Sequence, residues 1–146
     1  MDDIADGTGD DHEATIRQLG QEYAARFGPP RTELIEAGRV RDYLLAMDEA
    51  EASDDGPVPP LFLLTLGRSR RPQPARGSAV NAGDEFEFHR PVHVGDRITV
   101  SLRVLPIEEK QGRHGVMYLV PREVTYINQH GELVAVSRHS SLRWAL

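Results

Sequence analysis

The chain has 146 residues and no cysteine, which suits one domain and excludes a disulfide framework, a thiolate metal site and a cysteine nucleophile. Its net charge of −6 equals the six carboxylates of Asp2, Asp3, Asp6, Asp10, Asp11 and Glu13, which stand in the first 13 residues without a Lys or Arg. The rest of the chain is therefore electrically neutral, which excludes strong nucleic-acid binding by the body of the domain.

Residues 1–13 have few apolar groups to bury and are expected to form a disordered acidic tail. From Ala14 the pattern turns helical. Ile16, Leu19, Tyr23 and Phe27 recur at three- and four-residue steps, and Gly28-Pro29-Pro30 stops the run. A second helix is expected from about Glu36 to Met47, with Val40, Tyr43, Leu44 and Met47 on one side. The acidic loop EAEASDDGPVPP follows. Proline at the first turn and Gly67 near the end then bracket a short apolar helix, Leu61 to Leu66, which is expected to be buried.

After Gly77 the period falls to 2. Phe86 and Phe88 alternate with Glu85 and Glu87; Ile98, Val100, Leu102 and Val104 alternate with Thr99, Ser101 and Arg103. Val116, Tyr118, Val120, Val124 and Tyr126 continue the pattern, and Val134 and Val136 begin a last strand towards Trp144. The stretches HVGD (93–96), EEKQGRHG (108–115) and NQHG (128–131) read as turns. About four antiparallel strands in a meander, with a helix against one face, make an α+β fold. No apolar run approaches membrane length and no signal pattern is seen, so a soluble cytoplasmic protein is expected.

The stretch GDEFEFHRPVHVGD holds Asp84 and His89 five positions apart. Alternate strand residues face opposite ways, and five steps separate the backbones by about 16 Å, so the two are not expected to share a water molecule. A β-bulge between them would reverse that facing. His89 and His93 form H-x-x-x-H, but strand rise sets them about 13 Å apart and no third ligand is evident, so no metal is expected. Asp48, with Glu49 and Glu51, is a loop carboxylate cluster without a basic partner.

Residues 86–100, FEFHRPVHVGDRITV, resemble the "RP…GD" strand-turn-strand of the MaoC-like dehydratase and hydratase family. YINQHGELVAVSRHSSLRW (126–144) resembles that family's closing hairpin. VRDYLLAMD (40–48) and PPLFLLTL (59–66) resemble its first helix and the entry to its central helix. The resemblance covers about residues 31–146. It implies a hot-dog domain, an antiparallel sheet wrapped around a central helix, occupying residues 14–146 with an N-terminal helical extension. It further implies paired domains and reversible hydration of a 2-enoyl thioester. In that family Asp and His of a D-x-N-P-x-H motif activate water, and backbone N–H groups at a helix start polarise the carbonyl.

At the matching place this chain reads MDEAEAS. Asp48 stands for the Asp, Ala50-Glu51 replace Asn-Pro, and Ser53 occupies the His position. A serine hydroxyl cannot take that proton unaided. The chain thus resembles the motif-less half of two-component members, with no catalytic pair of its own; Asp48 and His89 are its weak candidates. It is expected to shape an acyl pocket through Pro60, Leu61 and Leu64. Arg68, Arg70, Arg71 and Arg76, in a loop without an acid, suit the phosphates of coenzyme A or a phosphopantetheine arm, or an acidic carrier protein. No cofactor is expected beyond that substrate carrier. The expected partner is a MaoC-like catalytic subunit carrying D-x-N-P-x-H, in a dimer or tetramer. Two other readings stay open. One is a homodimer that binds an acyl thioester or polyketide without turnover. The other is a hot-dog thioesterase, for which Leu61 to Leu66 carries no carboxylate.

Overall fold

A computed structural model describes residues 7–49, 56–67, 76–113 and 115–146. The long helix α1 runs Gly7–Phe27, beginning well before Ala14. Residues 7–13, expected to belong to a disordered tail, are helical; residues 1–6 lie outside the described residues. The early turns have anchors that charge composition does not reveal. His12 Nδ1 lies 2.7 Å from the Tyr118 hydroxyl and 3.3 Å from Glu109. Two and three turns on, Leu19 and Tyr23 are buried against Tyr118 and Val120.

Helix α2, Ala37–Ala46, follows the short strand β1, Arg31–Leu34. It agrees with the expected span to within the usual uncertainty of helix ends and buries Val40 and Leu44. The apolar segment forms a 3-10 helix, Pro60–Thr65, with Pro59 as its cap. Phe62, Leu63 and Leu66 enter the core, whereas Leu61 is 45% exposed. The expected burial all round therefore fails at Leu61: the six-residue helix on one sheet face has a side that none of the described residues covers.

The remaining strands are β2 (Ser78–Phe88), β3 (Arg97–Val104), β4 (Glu108–Gly112), β5 (Gly115–Ile127) and β6 (Leu133–Trp144). They form one antiparallel six-stranded sheet in the order β1-β3-β5-β6-β2, with β4 also paired to β5. Two strands exceed the expected four. β1 is four residues long, and every residue of β4 is exposed, so neither carries the apolar alternation that marks a half-buried strand. Nor is the sheet a plain meander, because β2 crosses over to pair with β6, far along the chain.

One core cluster gathers α2, the 3-10 helix and the sheet through Ile35, Val40, Leu44, Phe62, Leu63, Ile98, Val100 and Tyr126. A second seats α1 on β5. Arg143 on β6 is fully buried, with its Nη1 donating to the Tyr23 hydroxyl at 2.9 Å and its Nη2 donating to the Arg76 carbonyl. Such bonds make burial of a guanidinium tolerable.

Glu33 on β1 latches the end of the 3-10 helix. Its carboxylate accepts the Gly67 N–H at 2.7 Å and pairs with Arg39 of α2 at 2.9 Å. Burial alone would raise this carboxyl's pKa; the Gly67 N–H and the Arg39 guanidinium outweigh it and hold the group below its ordinary 4.5. A lowered folded-state value means the contribution is complete above the unfolded value and is lost as pH falls through the folded one. Glu33→Gln is expected to lower stability by about 1–2 kcal/mol at neutral pH. In urea unfolding curves the gap between variant and wild type should close once the pH drops below 4.5.

Candidate functional site

A cleft among the described residues lies where α2 ends, the 3-10 helix begins and β2 leaves the sheet. Its volume is about 730 Å³, within the range of small-molecule sites. Leu44, Val58, Leu63, Phe88 and Val92 supply apolar wall, and Glu49, His89 and Arg90 supply its ionisable groups. Two local features shape it. Val58 N–H donates to the Val92 carbonyl at 2.7 Å, tying the proline-rich loop to the segment after β2. Asp48 adopts a left-handed backbone, φ 58, which turns the chain out of α2 and brings Glu49 N–H back to the Leu44 carbonyl.

The sequence candidates divide on this frame. Pro60 lines the cleft; Leu61 and Leu64 do not, and Leu63 takes their place. A 3-10 helix advances three residues per turn, so its wall-facing side is not the one an α-helical reading selects. Arg68, Arg70 and Arg71 lie outside the described residues, as do Ala50, Glu51 and Ser53. Arg76 is paired with Glu22 of α1 at 2.9 Å, and its carbonyl holds Arg143. Arg76 thus connects α1 and the sheet through its side chain and its carbonyl.

His89 enters the cleft with Glu49, so a carboxylate and an imidazole share it, without a hydrogen bond between them. Asp84 stays outside. The register shift on β2 falls between Asn81 and Gly83, ahead of Asp84, and so cannot turn Asp84 towards His89. Instead Asp84 sits directly across from His139 of β6, and its carboxylate contacts His139 Nδ1. Hydrogen bonds from Asn81 and then His139 hold the Asp84 carboxyl below the usual aspartate value. Reading the sequence alone missed His139, because only the pairing of the first long strand with the last brings it to Asp84. The pair is partly exposed and outside the cleft.

The start of the 3-10 helix offers the N–H of Leu61 but few others. Pro59 and Pro60 have no N–H, and Phe62 N–H is bonded to the Pro59 carbonyl at 2.9 Å. No group of three His, Asp or Glu side chains among the described residues could hold a metal ion. No described helix is long and apolar enough to cross a membrane.

An antiparallel sheet with its short helix against one face is the hot-dog fold of MaoC-like dehydratases, α+β as expected. Residues 20–137 match the family described as FAS1-like, dehydratase domain region, and the chain belongs to that family. Among similar solved structures, the ChsH1-ChsH2 complex from Mycobacterium tuberculosis has 16% identity and a TM-score of 0.66, with 94% of this chain and 93% of that chain covered. The HadBC (3R-hydroxyacyl-ACP dehydratase) complex from the same organism has 19% identity and a TM-score of 0.56, covering 77% and 90%. The MaoC-like dehydratase from Rhodospirillum rubrum has 20% identity and a TM-score of 0.57, covering 82% and 94%. No curated protein is similar to the chain in sequence.

Leu63 serves core and cleft together, being 3% exposed, whereas Pro60 is only a wall. Leu63→Ala is expected to cost about 2–4 kcal/mol of stability and Pro60→Ala less than about 1 kcal/mol, both read by chemical denaturation.

Proposed function

We propose that this chain is the non-catalytic subunit of a heteromeric enoyl-thioester hydratase or 3-hydroxyacyl-thioester dehydratase. It supplies an apolar acyl cleft, while a partner carrying D-x-N-P-x-H supplies the Asp and His that activate water. The observation that carries the reading is a cleft fit for an acyl group but poor in chemistry. Pro59 and Pro60 bring no N–H to its helix start, which keeps that of Leu61, and among its described residues no acid is hydrogen-bonded to an imidazole. Carbonyl polarisation needs donors aimed at the developing oxyanion, and proton removal needs a base held within hydrogen-bond reach of water.

The carrier is coenzyme A or an acyl carrier protein. Leu63, Val58 and Phe88 bound the acyl group, and His89 and Arg90 stand among its walls. That the similar structures include two-component complexes, ChsH1-ChsH2 and HadBC, supports a paired arrangement.

A second reading rests on Glu49 and His89 sharing the cleft. Substrate could draw them into an acid–base pair, since such contacts often tighten only in the complex. Hydration of a crotonyl-type thioester separates the two. Under the first reading the isolated chain is inert, the co-purified pair is active, and His89→Ala in the pair changes turnover less than about tenfold, short of the loss expected for a general base. Turnover by the isolated chain that His89→Ala abolishes would establish the second reading instead.

A further inference from the structure

We infer that Asp84 and His139 form a subsite for an alcohol: a hydroxyl group at the far end of the acyl chain donates its hydrogen bond to His139 Nε2. The inference rests on the acyl cleft of the proposed function and names the acyl class that this cleft prefers.

A chain of three contacts places the proton on the imidazole. Gly83 N–H donates to Asn81 Oδ1 at 2.8 Å. That fixes which way the Asn81 amide faces, and its Nδ2 donates to Asp84 Oδ2 at 2.6 Å. The other oxygen, Asp84 Oδ1, contacts His139 Nδ1. A carboxylate only accepts, so Nδ1 carries the hydrogen and the neutral ring offers Nε2 as an acceptor. Among the described residues His139 makes its hydrogen bond through Nδ1 and leaves Nε2 open. Asn81 and Asp84 are three positions apart and would face opposite ways in a regular strand. The register shift between Asn81 and Gly83 brings them to one face, and bulges of this kind re-aim side chains beside functional sites.

The strand register connects this pair to the cleft. Asp84, Phe86 and Phe88 alternate along one face of β2, opposite His139, Ser137 and Ala135 of β6. Phe88 lines the cleft, and Phe86, 37% exposed, is the apolar step between Phe88 and Asp84. Four strand residues separate Phe88 from Asp84, about 13 Å. An acyl chain that leaves the cleft at Phe88 and follows Phe86 therefore ends at the pair. The Asp84 and His139 side chains are 36% and 40% exposed, so a ligand reaches them.

Charge and proton count select the group. Arg122 stands opposite His139 on β5. Its guanidinium is turned to Ser141, to which Nη2 donates at 2.6 Å, and to the Tyr23 ring at 4.3 Å. Its positive charge offsets the negative charge of Asp84, so the row Asp84–His139–Arg122 holds no surplus to attract a carboxylate. A ketone has no hydrogen to give and would set its lone pairs against that of Nε2. A hydroxyl has one to give.

Isothermal titration calorimetry on the full chain tests this, at about pH 8.5 to favour neutral imidazole. The probes are decanoyl-CoA, ω-hydroxydecanoyl-CoA and the decanoyl-CoA bearing a ketone next to its terminal methyl. Wild type is expected to bind the alcohol about fivefold more tightly than decanoyl-CoA and the ketone no more tightly. Asp84→Asn reverses the hydrogen bond. Asn81 Nδ2 still takes the side-chain oxygen, so the new amide presents N–H to His139 Nδ1 and the ring proton moves to Nε2. The ketone is then expected to gain about fivefold over decanoyl-CoA, which a pair serving only to join two strands would not produce. NMR of the imidazole nitrogens in wild type decides should that variant not fold: the His139 Nε2 resonance is expected to move with the alcohol and to stay with decanoyl-CoA. Equal affinity for alcohol and decanoyl-CoA, or an Nε2 resonance that the alcohol leaves in place, overturns the inference and leaves the acyl cleft standing. Failure of all three thioesters to bind removes the cleft reading and the inference together. An inactive co-purified pair, with the alcohol preference intact, removes only the hydratase reading.

Discussion

The pairing of β2 with β6 is the constraint on which most of this molecule turns. It joins residues 78–88 to 133–144 and closes the sheet across the 44 intervening residues, 89–132. Such closure is entropically costly and gives nothing back until the intervening strands are in place. Once made, it leaves β2 as an edge, sets Asp84 opposite His139 and carries Phe88 and His89 to the cleft. The acid–imidazole contact and the edge position of β2 are two consequences of one register.

The concave face is covered in two pieces. α1 covers Tyr118 and Val120, while the 3-10 helix and α2 cover Val100 and Tyr126. Between them the interior becomes polar. Tyr23 receives a hydrogen bond from Arg143, and the Arg122 guanidinium lies 4.3 Å over its ring. Burial pulls Arg122 below the usual arginine value, against the favourable field of Tyr23. Phenol and ring face together accept what no carboxylate accepts there, so α1 is oriented by directional contacts as well as by apolar burial. The central helix has only six residues, and the cleft lies at its start.

Pro59 and Pro60 stand both at the start of that helix and in the wall of the cleft. Proline there fixes the chain entry and brings no N–H of its own. Under the proposed function the cleft binds the acyl group and a second chain supplies the acid and base.

The sequence by itself determined the change of period at Gly77, the α2 span, the glycine turns at 93–96 and 128–131 and the resemblance that carries the fold; the turn expected at 108–115 is mostly strand β4, Glu108–Gly112. Each is local, set by spacing within a few residues or by turn residues such as Gly95 and Gly131, whose positive φ angles favour glycine. It also determined that no histidine stands in MDEAEAS. It did not reveal β1 or β4, whose short or fully exposed strands leave no apolar rhythm, nor the helical turns at 7–13, held by Tyr118 and Glu109 from far along the chain. Parity correctly separated Asp84 from His89, but could not find His139. That contact, the choice of Leu63 over Leu61 and Leu64, and the place of Arg76 against Glu22 were decided by tertiary structure alone. Each depends on which strand or helix lies alongside, and adjacency between distant segments is not written in the spacing of either one.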